Sequence, residues 1–169
     1  MVSDFFDFRV YQIGAVISLL SEGSQKHLTR CKDKIQLRSE KIMAYTFEQS
    51  YYFRPYRGNS SFWLNRYGNG SIASHQKATL YTAAGSADQR LKVHKVSGGC
   101  QLLSDLNNAY GLNIYGTKAG SVCDFYPVSG YFNDALIDLL TVDAANNLYR
   151  IKMINHNLYL TPASNSSGA

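Results

Sequence analysis

The sequence is short of the residues from which disulfide scaffolds and metal sites are built. It has three cysteines, Cys31, Cys100 and Cys123, and four histidines among 169 residues. So few cysteines, so far apart, exclude a disulfide scaffold, and their odd number leaves at least one thiol unpaired. No CxxC or HxxxH spacing occurs, so we expect no metal site. Cys100 and Cys123 fall in strand-like runs and are predicted to be small, buried apolar residues.

Motifs that carry catalysis are missing as well. The sequence has no GxSxG nucleophile elbow, no paired-carboxylate signature and no glycine-rich phosphate loop. His75, His94 and His156 lie far apart in strand or turn positions, and isolated histidines are more often structural than catalytic. We therefore predict a non-enzymatic protein that needs no cofactor.

Long hydrophobic runs are absent too. The longest apolar stretch near the start, Val10 to Leu20, is far shorter than the roughly twenty residues that span a bilayer. As a secretory signal it lacks a basic leader, because Asp4 and Asp7 outnumber Arg9, and no small-x-small cleavage site follows. These features predict no membrane span.

Charged residues make up only 17% of the chain, with a net charge of +5. Much of the positive charge falls between Lys26 and Lys41, and beyond residue 50 the basic residues are scattered among acids and aromatics. A solvated basic stretch explains this pattern better than nucleic-acid binding, because no basic face or known nucleic-acid module emerges. Binding of RNA or DNA through residues 26–41 stays a weaker alternative, which would show a steep salt dependence.

What the sequence does contain is a repeat. Three units begin near Tyr51, Cys100 and Tyr149, 49 residues apart. A chain of 169 residues with 45% hydrophobic content suits one domain with a sizeable core. The stretch Gln89–Val93 is echoed at the same spacing by Asp138–Val142. The second strand of each unit recurs as well, as Phe62–Asn65, Leu112–Tyr115 and Leu158–Thr161, each alternating at period two between glycine- and asparagine-rich turns. The pattern predicts an all-β, barrel-like domain.

The ends of the sequence do not follow the repeat. A complete third unit would need to reach about residue 190 by the same period, so its last two strands are expected to be missing. Residues 1–42 are predicted to be a helical or disordered extension, and residues 43–169 the repeat domain, with units from about 50, 99 and 148. Two readings of residues 1–42 compete. In one, Met43 is the natural start of the domain and the upstream residues come from an over-extended or truncated gene; in the other, Val10–Leu20 fills the gap left by the missing strands. The poor alternation of Val10–Leu20 favours the first. An unclosed barrel would expose sheet edges and predicts marginal stability or association.

The repeat resembles the ricin B-type lectins, whose fold is a three-lobed β-trefoil with a Gln-x-Trp element closing each lobe. Gln89-x-Leu91 and Asp138-x-Leu140 look like two such elements with leucine in place of tryptophan. The resemblance covers about residues 50–162 and implies a shallow sugar pocket on each lobe. A polar side chain after the second strand, an aromatic platform on the third strand and polar groups beside the Gln-x-Trp element would hold the sugar.

The resemblance assigns these roles residue by residue. In the first lobe they fall to Asn65, the platform Tyr81, and the pair Asp88 and Gln89, with Gln89 bonding backbone rather than sugar. The second-lobe equivalents are Tyr115, Phe125, and Ile137 with Asp138, a set with fewer hydrogen-bonding groups unless Asp124, Asn133 or Asp134 substitutes. The third lobe supplies Thr161.

The function implied is carbohydrate binding without catalysis. The expected partners are glycans, of galactose type or from a cell wall or cell surface, and a hydrolase or toxin domain joined to this module. The resemblance favours an extracellular location, although no signal peptide is recognisable. The alternative is a β-trefoil that serves as a protein-interaction or structural module without sugar binding, since this fold hosts several functions. Tyr81→Ala is expected to abolish sugar binding in the lectin reading.

Overall fold

The computed structural model describes residues 7–12, 45–56, 61–68, 70–129, 133–164 and 168. Within them the chain forms short strands and two single-turn 3-10 helices, Ala87–Gln89 and Ile154–His156. The strands are β1 Phe8–Gln12, β2 Ser50–Pro55, β3 Phe62–Arg66, β4 Gln76–Thr82, β5 Leu91–Val96, β6 Gly99–Ser104, β7 Tyr110–Tyr115, β8 Val122–Pro127, β9 Ile137–Asp143, β10 Leu148–Met153 and β11 Leu158–Tyr159. No helix in these described ranges is long and apolar enough to cross a membrane.

Six of the strands close into a ring. Antiparallel pairing runs from β1 to β2, then to β5, β6, β9 and β10, and from β10 back to β1. A closed sheet has no free edge along its wall, so each of these strands has both neighbours. The expectation of a barrel-like β domain is confirmed.

The strand that closes the ring, β1, comes from the part of the chain that the repeat pattern leaves out. Phe8 pairs with Pro55 on one side and with Tyr149 on the other. Residues 8–12 are therefore a barrel strand, which corrects the expectation of a helical or disordered extension at this position. This position between the first and the last unit is where a closing third-unit strand would lie. Residues 13–44, including the rest of the Val10–Leu20 run, lie outside the described residues.

The remaining strands form hairpins at one end of the barrel. β3 pairs with β4 in the first unit and β7 with β8 in the second, and β4 also contacts β8 at its start. In the third unit β11 pairs with β10, and no strand follows β11 in the described part of the chain. A six-stranded ring with hairpins from successive units is the arrangement that the lectin resemblance implies.

The 49-residue period holds for the first strand of each unit. Tyr51, Cys100 and Tyr149 lie in β2, β6 and β10, and all three side chains are buried. The single core cluster draws on every barrel strand, β1 included, through Phe8 and Val10. Alternation of buried and less buried residues along β2 is the half-buried pattern that the sequence predicts.

The segment before β2 is tied to the barrel by an acidic side chain. The carboxylate of Glu48 contacts Lys92 Nζ at 2.8 Å and His94 Nδ1 at 2.8 Å, and accepts a hydrogen bond from the Lys95 N–H at 3.1 Å. These contacts, led by Lys92 and the Lys95 amide, lower the pKa of Glu48 from 4.5 to about 2.

We expect Glu48→Gln to be less stable than the natural protein at pH 7. A pKa that is lower in the folded than in the unfolded chain stabilises the fold above the unfolded value and loses that contribution as pH falls towards 2. The stability gap should therefore close between about pH 4.5 and 2, and because Glu48 is half exposed the gap should be small. Thermal unfolding over this pH range measures it, and a gap of constant size would contradict the assignment.

Candidate functional site

In the first lobe the polar residues assigned to sugar binding serve the protein itself. Arg66 is fully buried, and its guanidinium contacts the Asp88 carboxylate through Nε at 3.1 Å and through a second, shorter contact from Nη2. It also donates to Gln76 Oε1 at 2.9 Å. A buried guanidinium needs a paired carboxylate, so the Oδ1 of Asp88 is committed to Arg66. Asn65 is buried as well, and its Nδ2 donates to the Arg66 carbonyl at 2.6 Å.

Gln89 bonds only to backbone, as the resemblance implies. Its Oε1 accepts from the amides of Ala84 and Gly85 at 2.9 and 3.1 Å, and its Nε2 donates to the Thr82 carbonyl at 2.8 Å. The side chain is 1% exposed and holds the chain between β4 and β5 in place. No part of it faces a ligand.

Tyr81 is the most exposed of the first-lobe candidates, with 53% of the residue open to solvent. It lies opposite Trp63 on the β3–β4 hairpin, and Trp63 packs against Tyr52 with ring centroids 4.3 Å apart. Arg66 contacts only the Oδ1 of Asp88, whose side chain is 30% exposed, so one hydrogen-bonding group of the assigned set remains open near these aromatic rings. In the first lobe Asn65 and Gln89 are thus bonded within the protein, while Tyr81 and part of Asp88 face solvent.

The second lobe differs from its sequence-based assignment because its register is shifted. The turn between β7 and β8, residues 116–121, is three residues shorter than the turn 67–75 between β3 and β4. Tyr51 pairs with Leu91 in the first unit, whereas Cys100 pairs with Ile137 in the second. Tyr51 and Cys100 are 49 residues apart, whereas their strand partners Leu91 and Ile137 are only 46 apart. The expected echo of Gln89–Val93 by Asp138–Val142 is therefore out of register.

The corrected register replaces the second-lobe candidates. Asn113 is the counterpart of Asn65, and its Nδ2 likewise donates to the carbonyl of the next residue, at 3.2 Å. Asp134 and Tyr126 take the places of Asp88 and Tyr81. Two of the assigned residues, Phe125 and Ile137, are completely buried in the core and are not open to a sugar, because both point into the barrel. Asp138, on the opposite face of β9 from Ile137, is half-buried.

A pocket of about 290 Å³ opens at this corrected position. Its walls are formed by His75, Asn113, Tyr115, Tyr126 and Asp134. The His75 ring packs against Tyr115 with centroids 5.0 Å apart and against Tyr126 at 4.5 Å. A sugar ring has a face of C–H groups and a rim of hydroxyls. The aromatic rings of the pocket suit the first, and its amide and carboxylate groups suit the second.

Asp124 fixes the polar side of this pocket from beneath. It is 3% exposed, and its two oxygens contact His75 Nδ1 at 2.7 Å and accept from Asn113 Nδ2 at 3.0 Å. Both Nδ2 hydrogens of Asn113 are thus used, while its buried Oδ1 has no hydrogen bond among the described residues. A buried acceptor without a partner costs free energy, so the Oδ1 of Asn113 is an unsatisfied acceptor in a residue that lines this pocket.

Sequence reasoning missed His75, Asn113 and Tyr126 at this site. Asn113 could have been found by aligning the second strands on Leu64 and Leu112, which puts it opposite Asn65. His75 carried no such signal, because it precedes β4 of the first lobe and reaches the second lobe only where β4 meets β8.

The other residues considered as substitutes lie at the third-lobe boundary. Asp134 contacts His156 Nε2 at 2.8 Å, and the Asn133 carbonyl accepts from Asn155 Nδ2 at 2.9 Å. Thr161 is exposed, at the mouth of a larger cleft. Among the described residues no group of three His, Cys, Asp or Glu side chains is placed to hold a metal ion.

Cys100 lies on β6 as a buried free thiol, in agreement with the sequence, whereas Cys123 lies on β8 as a half-buried one. Burial raises the pKa of each to about 12.

We expect a Cys31→Ser variant to react with an aromatic disulfide reagent at pH 8 about a thousandfold more slowly when folded than when unfolded, because the thiolate is the reacting species. A folded-state rate equal to the unfolded one would show that these thiols are open.

No protein-family model matches the sequence, and no curated protein matches it. Among solved structures, the chain is similar to the crystal structure of ThreeFoil, a designed protein with three-fold symmetry. The TM-score is 0.56 at 19% sequence identity, over 64% of this chain and 77% of that one. At this identity the similarity establishes the fold alone. Together with the closed ring and the hairpins, it defines this chain as an all-β protein of the β-trefoil class.

Proposed function

We propose that the protein binds carbohydrate without catalysis, through the pocket formed by His75, Asn113, Tyr115, Tyr126 and Asp134. The observation that carries the proposal is a pocket that combines aromatic rings with Asn113, whose buried Oδ1 has no hydrogen bond among the described residues. A sugar hydroxyl would donate to this oxygen while the C–H face of the same ring packs on Tyr126 or Tyr115. The resemblance to ricin B-type lectins supports the same function, with glycans as the partners.

The volume of the pocket suits one sugar residue rather than an extended chain. A shallow site with a few hydrogen bonds and one stacking ring is expected to bind with a Kd of roughly millimolar to tens of micromolar. Joining this module to a catalytic or toxin domain, or to further copies, would raise the apparent affinity.

A glycan array followed by titration with galactose and with the best-scoring sugar tests the proposal. Chemical-shift changes on titration should centre on Asn113, Tyr115 and Tyr126, not on Tyr81. Shifts at Tyr81 alone would place the site in the first lobe, and the absence of binding to any sugar would reject the lectin function.

A further inference from the structure

A second, larger cavity lies where the hairpins of the three units meet. This apolar cleft has a volume of about 620 Å³ and takes its walls from Lys77–Leu80 of the first unit, Lys118–Cys123 of the second and Asn157–Ala163 of the third. Its floor is made of core side chains: Phe8, Leu64, Leu80, Ile114 and Met153. An opening of this size onto the core of a small domain calls for an occupant, because exposed apolar surface of this kind marks binding sites.

The internal repeat indicates the shape of that occupant. The first and second units each complete their hairpin with a strand, β4 and β8 respectively. In the third unit the described residues continue from β11 along the wall of the cleft without a further strand. The cleft therefore stands where the other two units place an extended strand.

The wall of the cleft bonds to backbone from outside the β3–β4 hairpin. The carbonyl of Leu80, on β4, accepts a hydrogen bond from the Gly168 N–H at 2.7 Å, and both residues line the cleft. Gly168 belongs to neither strand of the β3–β4 hairpin. The outer edge of β4 thus bonds to backbone from outside its own hairpin, here to this chain's own Gly168, so a strand added by a partner would pair beside Gly168 or displace it.

The charges around the cleft favour an acidic partner. Lys77 and Lys118 are exposed on its walls, and neither forms an ion pair with a described residue. The described lining contains no aspartate or glutamate. We propose that the cleft binds an extended segment of a partner protein, with apolar side chains at alternate positions and an acidic residue between them.

The chain itself supplies a probe of this chemistry. The β8 stretch 121–128, SVCDFYPV, fills the equivalent place in the second unit and has Asp124 between Cys123 and Phe125. A fluorescein-labelled peptide of this sequence, with valine at the cysteine position, is titrated with the full chain by fluorescence anisotropy. The control peptide exchanges the aspartate and the phenylalanine, which moves the apolar residue to the wrong face of a strand.

The matched peptide is expected to bind at least about tenfold more tightly than the control, because strand addition depends on register. Ala119→Trp, which places a large ring in the cleft wall, should reduce binding of the matched peptide at least about tenfold. Ala73→Trp, at an exposed position away from the cleft, is the matched control and should leave it unchanged. Thermal unfolding of both variants verifies that they fold.

Three results would overturn the proposal. Equal binding of the two peptides would show unspecific apolar adhesion, and binding unaffected by Ala119→Trp would place the peptide elsewhere. Self-association of the full chain that is lost in Ala119→Trp, measured by sedimentation, would assign the cleft to a second copy instead of a partner.

Discussion

Replacing Phe8 with alanine is expected to lower the free energy of unfolding by about 3–5 kcal/mol, the usual cost of removing a buried phenylalanine. Phe8 is 1% exposed and packs in the core cluster from β1, the strand that closes the ring between β2 and β10. Such a loss is a large part of the roughly 5–15 kcal/mol that stabilises a domain. Urea unfolding followed by circular dichroism measures it.

Tyr11→Ala is the control on the same strand. Tyr11 is three residues along β1 on the opposite face, half-buried, with the Arg54 guanidinium over its ring at 4.9 Å. Its loss should cost about 1 kcal/mol or less, since a partly exposed cation–π contact contributes about that much. Equal costs for the two variants would mean that β1 does not form part of the barrel wall in solution.

Asn113→Ala is expected to weaken sugar binding at least about tenfold, because it removes the acceptor that a bound hydroxyl would satisfy and frees the Asp124 carboxylate that the amide orients. A tenfold loss corresponds to about 1.4 kcal/mol at room temperature. Isothermal titration with the sugar selected by the array measures the change, after thermal unfolding has shown that the variant folds.

Asn65→Ala is a closely matched control. Asn65 occupies the same position on β3 as Asn113 on β7, and both amides donate to the carbonyl of the following residue. Only Asn113 lies in the second-lobe pocket. Sugar affinity should therefore be unchanged in Asn65→Ala. A loss in this variant with none in Asn113→Ala would return the site to the first lobe, where the sequence alone places it.

The repeat made much of the fold predictable. Tyr51, Cys100 and Tyr149 begin equivalent strands at a constant spacing because each fills the same place in the barrel wall. Alternation at period two then determines which side chains face the core. Both patterns can be read from the order of residues along the chain, and no tertiary contact is needed to detect them.

The binding site was less predictable because register depends on turn length. A turn three residues shorter between β7 and β8 shifts every later position of the second unit, so that Phe125 and Ile137 fall in the core. A one-residue error of register moves a side chain to the opposite face of a strand. The same shift brings Tyr126 and Asp134 to the pocket, where alignment at constant spacing had not placed them.

That this protein is built from repeated β units can be read from its sequence, because strand periodicity and turn residues are encoded in the order of residues along the chain. The closure of the barrel by β1 becomes visible in the folded molecule, since the pairing of Phe8 with Pro55 and Tyr149 joins residues far apart in the chain. The fold also decides which unit each pocket residue comes from, since His75 of the first unit serves the pocket of the second. Both depend on which strands become neighbours in space, and alternation within a strand does not specify its neighbour.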